Sequence, residues 1–311
     1  MQSIRDTKKR IKSVKNIAQI TKAMEMVSMT KMRKSQMSAL SARPYAIASL
    51  QMLKNLLEMT SERNIPSFLK KKAVKNTLLV VITSDKGLLG AFNETVLRKA
   101  QAWIQKKNQS GEQFCVITIG KKASDFFAYR GIKVRNSFVG FGDFKLREET
   151  LTIADTIIDG FKDELWDKVE VIYTNFKSTL KQETVLRTFL PASKESLEEI
   201  VRGIIPEYGK YSDTKTETVS TFKYNYKYKF EPSAEGILNK LIPELLRMHI
   251  HHIILESNAS EHSARMVAMK SASDNAKNLQ DELTLSYNKA RQAGITAEIS
   301  EIISASEALK N

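Results

Sequence analysis

Ten of the twelve glycines in this 311-residue chain fall between residues 87 and 209; none precedes Gly87 and none lies between Gly236 and Gly294. Glycine punctuates turns and weakens a helix interior by about 1 kcal/mol relative to alanine. Its absence at both ends therefore predicts two long helices around a turn-rich middle. The first is expected over about residues 3–59, roughly 85 Å at 1.5 Å per residue. Two apolar rows support it: Ile11, Val14 and Ala18, and Ile17, Ile20, Met24 and Val27, each stepping by three and four. Pro44 falls inside this span and predicts a kink. The second is expected to begin near "EPSAEGILNKL", with Ser233 as cap and Glu235 in the first turn, to bend at Pro243 and to run past residue 300. Its expected seam is Ala272, Ala276, Leu279, Leu283, Tyr287 and Ala290, rich in small residues that permit close backbone approach.

Helices of this length owe their stability to burying an apolar face, so these two should pair. They open and close the chain, and an antiparallel coiled coil is the economical arrangement. Between them, "LLVVIT" (78–83), "FCVITI" (114–119) and "KVEVIYT" (168–174) read as buried strands alternating with helical patterns over 95–107, 121–129 and 148–161. That alternation predicts a parallel, doubly wound sheet. "QETVLRTFLP" (182–191) and "FKYNYKYKF" (222–230) are candidate further strands, and 206–218 reads as a loop or insertion. The expected fold class is therefore α/β, a Rossmann-like central domain carried on a long antiparallel coiled coil. The expected domains are 1–76, the N-terminal helix and connector; 77–231, the α/β domain with an insertion near 191–218; and 232–311, the C-terminal helix.

Little in the chain points to catalysis. The loop "TSDKGLLGAFN" after the first strand carries Gly87 and Gly90 but matches neither GxGxxG nor GxxxxGK[ST]. His249 and His252 in "MHIHH" are three apart with no cysteine cluster or HExxH pattern, and read as polar residues on a helix surface. No GxSxG elbow is present. The single cysteine, Cys115, lies in an apolar run and reads as a buried, inert thiol. No catalytic residue, cofactor or metal site is expected. With no secretory leader or spanning segment in evidence, an intracellular protein is expected.

The net charge of +14 is concentrated at one end: residues 1–76 hold 17 Lys and Arg against 4 Asp and Glu, a balance of +13, which leaves +1 for the remainder. Such a segment seeks an acidic partner. The same segment holds Met24, Met26, Met29, Met32 and Met37, five of the eleven methionines, interleaved with Lys22, Lys31, Arg33 and Lys34. A helix paired on one side and still apolar elsewhere must touch something else there. Methionine, unbranched and polarizable, suits a surface that meets several partners.

The stretches "IKSVKNIAQITKAMEMVSMTKMRKSQ", "SDKGLLGAFN" and "RMVAMKSASDNAKNLQDELTLSYNKARQAGITAEISEII" resemble the gamma subunits of rotary F-type ATP synthases, in the family's order. The resemblance implies a central-stalk rotor with no catalytic site of its own. It would transmit torque between a membrane ring driven by proton flow and three nucleotide sites on beta subunits. The implied partners are the alpha and beta subunits of the catalytic hexamer, an epsilon subunit and the c-subunit ring, with no nucleic acid. The implied location is peripheral, on the cytoplasmic face of a bacterial inner membrane. By motif match, Met24 stands beside the beta-subunit levers, with Lys22, Lys31, Arg33 and Lys34 facing their acidic loops. Arg291 and Gln292 match a pair that hydrogen-bonds a beta loop, and Thr296 and Glu298 match positions that affect coupling. The chain departs from the family pattern at Leu89, Gly90 and Ala91, where Cys-Gly-Gly is common, and at Ser304 to Glu307, which replace a Ser-Gly-Ala run.

Two other classes compete. A basic coiled-coil nucleic-acid binder would use aromatic stacking groups among its basic residues, yet residues 1–44 contain no Phe, Tyr or Trp. A nucleotide-dependent enzyme would bind nucleotide as an isolated chain.

Overall fold

The structure, a computed structural model, describes residues 4–41, 48, 52–53, 55–56, 66–70, 72–140, 147–192 and 233–308. The kink expected at Pro44, the strand expected at 222–230 and the insertion beyond Ala192 lie outside the described residues. The elements in chain order are α1 (Ile4–Ser41), a 3-10 turn (Ser67–Leu69), β1 (Asn76–Ile82), α2 (Phe92–Ser110), β2 (Gln113–Ile119), α3 (Lys121–Tyr129), β3 (Asn136–Phe138), α4 (Arg147–Lys162), β4 (Lys168–Phe176), β5 (Gln182–Leu190) and α5 (Ala234–Ala308).

Two compact units are present: residues 1–28 with 265–311, and residues 29–264. In the larger unit a five-stranded sheet has the order β3-β2-β1-β4-β5. The pairs β1–β2, β1–β4 and β2–β3 are parallel, while β5 returns antiparallel along β4. The expected parallel sheet is thus present with an antiparallel edge. The short β3, too brief to show a period of two, is an element the sequence pattern misses.

Alternation along the strands sets three layers. Leu78, Val80 and Ile82 of β1 join Val169, Val171 and Tyr173 of β4 on one face, covered by Ile153 and Ile157 of α4 and by Leu238 to Ile254 of α5. Leu79 and Val81 face the other way, with Ile172, onto Val96, Ala100 and Trp103 of α2 and Phe127 of α3. On this second face the buried Glu170 carboxylate accepts the Trp103 indole N–H at 2.7 Å and the Lys168 ammonium at 2.7 Å, so the charge is fully partnered.

Two glycines permit close packing. A Cβ on Gly120, whose φ is +100°, would stand 2.2 Å from the Thr83 carbonyl oxygen, where the crossover from β2 passes the end of β1. A Cβ on Gly160 would stand 2.0 Å from the ring of Trp166, a buried side chain whose indole N–H donates to the Ile157 carbonyl at 3.1 Å. The long α5 begins as expected, with Ser233 Oγ accepting the Gly236 N–H at 3.0 Å, and it continues unbroken through Pro243.

The histidines correct the sequence reading. His249 and His252 are buried rather than on the surface. The His249 ring packs on Phe189 at 5.2 Å between centroids, and burial pushes its pKa well below the ordinary range. Their positions on the sheet-facing side of α5 could not be read from a run in which both helix faces are apolar. Cys115 is half-buried rather than fully enclosed, with the Asn76 amide 3.9 Å from its sulfur.

Replacing Gly160 by alanine is expected to destabilise the chain by about 1–3 kcal/mol through overpacking against Trp166, read as a lower urea midpoint at an unchanged m-value.

Candidate functional site

In the smaller unit, α1 and α5 run antiparallel. Gly294 lies beside Ile4, whose Cδ1 is 3.8 Å from a Cβ built at that glycine, and Ser273 Oγ donates to the Ala18 carbonyl at 3.4 Å. α5 continues beyond Gly294 to Ala308. In the larger unit the same two helices meet through Asn258, whose amide donates to Ser35 Oγ at 2.9 Å.

The seam along α1 steps by four and three: Thr7, Ile11, Val14, Ala18, Thr21, Glu25, Ser28, Met32 and Ser35 are buried or half-buried. This is heptad spacing, but most of the row is small or polar. On α5 the seam is Met269, Ser273, Ala276, Gln280, Leu283 and Tyr287, and it resumes at Gly294. Three of the six expected seam residues are displaced. Leu279 and Ala290 are exposed and Ala272 is half-buried, because Ser273 and Gln280 take the seam positions beside them. Apolarity misled the reading: Ser273, whose hydroxyl hydrogen-bonds across the seam, and Gln280 take positions beside Met269, Ala276, Leu283 and Tyr287.

Further large apolar side chains stand outside the seam. Ile17, Ile20, Met24 and Val27 form a continuous row on one flank of α1, with Ile20 59% exposed and Met24 half-buried. The opposite flank is basic, carrying Arg5, Lys8, Lys12, Lys15 and Lys22, spaced by three, four and seven. The second apolar row noted in the sequence is therefore an outward stripe, whereas the first is the seam. On α5, Ile295, Ile299 and Ile302 line up at i, i+4 and i+7, all exposed.

The motif-matched residues fall at two levels of this unit. Lys22 and Met24 lie 18 and 20 residues along α1 from Ile4, about 27–30 Å from the level of Gly294. Arg291, Gln292, Thr296 and Glu298 flank Gly294 and are all exposed. Arg291 and Glu298 share a face at i, i+7. Gln292 and Thr296 share the neighbouring one, and Thr296 Oγ1 donates to the Gln292 carbonyl at 3.0 Å. The structure does not bring the two groups together. Lys22 is engaged within the chain, its ammonium donating to Glu25 Oε2 at 2.9 Å. Glu25 is a residue that the sequence reading passed over, since a lone acid among lysines looks like surface. Lys31, Arg33 and Lys34 belong to the larger unit; Lys31 is half-buried, and Arg33 and Lys34 are exposed.

The places where a doubly wound sheet offers a phosphate ligand are taken up by the chain itself. Such ligands sit beyond the carboxyl ends of the strands where the order reverses, here between β1 and β4. Ser260 and Ser263 of α5 donate to the carbonyls of Thr174 and Thr179 at 3.1 and 2.8 Å, so α5 crosses the carboxyl end of β4. At the N-terminus of α3 the Asp85 carboxylate accepts the Lys121 N–H at 2.8 Å and the Gly140 N–H at 3.2 Å, filling the position an anion would take. Leu88, in the same β1–α2 loop, is held at φ 64° with its side chain 64% exposed. Among the described residues no group of three or more His, Cys, Asp or Glu is placed to hold a metal ion, and no helix is long and apolar enough to cross a membrane.

The sequence model of a family described as ATP synthase matches residues 3–309. The ATP synthase gamma chain of Chloroflexus aurantiacus is 40% identical over 311 residues, 99% of each chain. That of Halothermothrix orenii is 36% identical over 310 residues, the full length of both. Among structures, a chain from the central stalk and c-ring of the Tetrahymena thermophila mitochondrial ATP synthase is 26% identical with a TM-score of 0.57, covering 82% of this chain and 99% of that one. A chain of the Euglena gracilis enzyme, 18% identical, shares the fold with a TM-score of 0.61 over 98% of this chain and 94% of that one.

His251, whose Nδ1 is 2.8 Å from Thr150 Oγ1, has its pKa lowered by burial to about 4. The unfolded chain, with an ordinary histidine pKa near 6.5, binds more protons between these values. Stability is therefore whole above about pH 6.5 and falls as the pH drops toward 4. His251→Gln is expected to remove about 1–2 kcal/mol of that acid loss, discounted for partial exposure, measured as the difference between urea unfolding curves at pH 7 and pH 4.5.

Proposed function

The chain belongs to the ATP synthase gamma-chain family, and we propose that it acts there as a non-catalytic, asymmetric axle. As a central-stalk subunit of the F-type ATP synthase it carries torque between the membrane ring and the catalytic sites, in either direction. Chemistry takes place on the beta subunits. This chain contributes shape: a seam on one side of α1, an aliphatic stripe on one flank and a basic stripe on the other. Each surrounding subunit meets a different flank, and is held in a different conformation, as the axle turns.

The observation that carries this reading is the aliphatic row left outside the seam of the smaller unit: Ile17, Ile20 and Val27 stand exposed while Thr7, Thr21, Glu25, Ser28 and Ser273 take seam positions beside its apolar members. Burying a Leu, Ile or Met side chain is worth about 1.5–3 kcal/mol. A chain that needed only to fold would place Ile17, Ile20 and Val27 between its helices. Placed outward, they supply binding energy to a surrounding sleeve, and because aliphatic contact is non-directional they supply it without fixing one angular position. The basic stripe faces acidic loops of that sleeve through exposed pairs of under about 1 kcal/mol each, weak enough to exchange.

In this assignment residues 1–76 and 232–311 are the torque-bearing arms and 77–231 the module that engages the epsilon subunit and the c-subunit ring. Lys22, Met24, Lys31, Arg33 and Lys34 contact beta-subunit levers; Arg291, Gln292, Thr296 and Glu298 form a second contact nearer the tip. The chain is peripheral to the membrane through the complex, on the cytoplasmic face of a bacterial inner membrane. The family assignment replaces the nucleic-acid reading, and the filled crevice of the sheet argues against a nucleotide site.

A tagged chain purified from its native cell is expected to bring down alpha and beta subunits with ATPase activity; its recovery alone would overturn the proposal. The double variant Ile20→Asp, Val27→Asp changes only exposed positions, so the isolated chain should keep its melting temperature within a few degrees. Its recovery of ATPase should fall by more than about tenfold.

A further inference from the structure

Glu25 and Asp6 are the only acids among the 38 residues of α1. Glu25 occupies a seam position, 7% exposed, between Thr21 and Ser28 in the four-three row. A buried carboxylate is costly unless paired, and an apolar side chain of similar volume usually serves packing as well or better. It pairs with Lys22, one turn back, whose side chain is 48% exposed on the basic flank. The pair therefore joins the interior of the seam to the outer surface. Lys22 is also the last basic residue of the stripe Arg5, Lys8, Lys12, Lys15, Lys22 within the smaller unit, and it shares its level with the aliphatic row of Ile20, Met24 and Val27.

We infer that Glu25 is a positioning residue of rotary coupling, holding the Lys22 ammonium back against the helix and partly neutralising it. Lysine is a compact charge on a flexible four-carbon stem. Without Glu25 that stem is free to reach an acidic loop of the sleeve, and a long-lived ion pair would favour one angular position over the others. The contacts around the axle must stay nearly equivalent for it to turn, so a retained lysine is as important as an exposed one. The inference rests on the central-stalk reading above.

The test uses the intact complex in inverted membranes of cells carrying Glu25→Gln, Lys22→Gln or both changes. It measures ATP-driven ion pumping per ATP hydrolysed, at low and high salt. Glu25→Gln is expected to assemble and hydrolyse ATP, with the pumping ratio falling about two- to fivefold, the factor an exposed ion pair is worth. Raising the ionic strength should recover part of that loss. The double variant should keep a higher pumping ratio than Glu25→Gln alone and match Lys22→Gln, since the released lysine is what impedes rotation. A double variant as impaired as Glu25→Gln, an unchanged ratio in Glu25→Gln, or failure of both Glu25 variants to assemble would overturn the inference and leave Glu25 a packing residue. Those results leave the axle assignment standing. That assignment fails separately, if the parental chain is not part of the membrane ATPase at all.

Discussion

The seam between α1 and α5 is the constraint from which the rest follows. Many of its residues are small or polar, and the Ser273 hydroxyl reaches the Ala18 carbonyl across it. A narrow seam of this kind buries little apolar area, and the hydrophobic stabilisation of the pair is correspondingly modest. The aliphatic side chains that would have filled a wider seam are left on the circumference. The chain thus buries its large apolar clusters in the α/β module and leaves aliphatic side chains exposed on the two-helix body.

The α/β module illustrates how a ligand-binding architecture can serve another purpose. Its strand order is that of a doubly wound sheet, whose reversal between β1 and β4 elsewhere receives nucleotides. Here α5 crosses the end of β4, and Asp85 caps the N-terminus of α3 as an internal anion. These contacts fill the crevice that a nucleotide enzyme would leave open.

Much of this was legible in the sequence, for reasons that differ by element. The glycine distribution gave the two long helices and the α/β middle, because glycine content reports directly on turns. The continuous apolar runs gave β1, β2 and β4, which are buried on both faces. The motif-matched residues came from resemblance, and no spacing rule would have found Arg291 or Thr296, which are ordinary polar positions on a helix. What could not be read was which apolar row faced inward. Ile11, Val14 and Ala18 and the row Ile17, Ile20, Met24 and Val27 have the same periodicity, and the seam belongs to the one with the smaller side chains. Glu25 escaped notice because a buried acid announces itself only through its surroundings, and His249 because its run is apolar on both sides.

The antiparallel register leaves one further consequence. Ile4 reaches only as far as Gly294, so the last fourteen residues of α5 extend about 21 Å beyond it, with no partner from α1 among the described residues. A helix of fourteen residues is marginal in water by itself, and this one displays Ile295, Ile299, Ile302 and Ile303 to solvent. It is held instead by continuity with the paired turns of α5 before it, which carry these isoleucines outward as an exposed apolar surface.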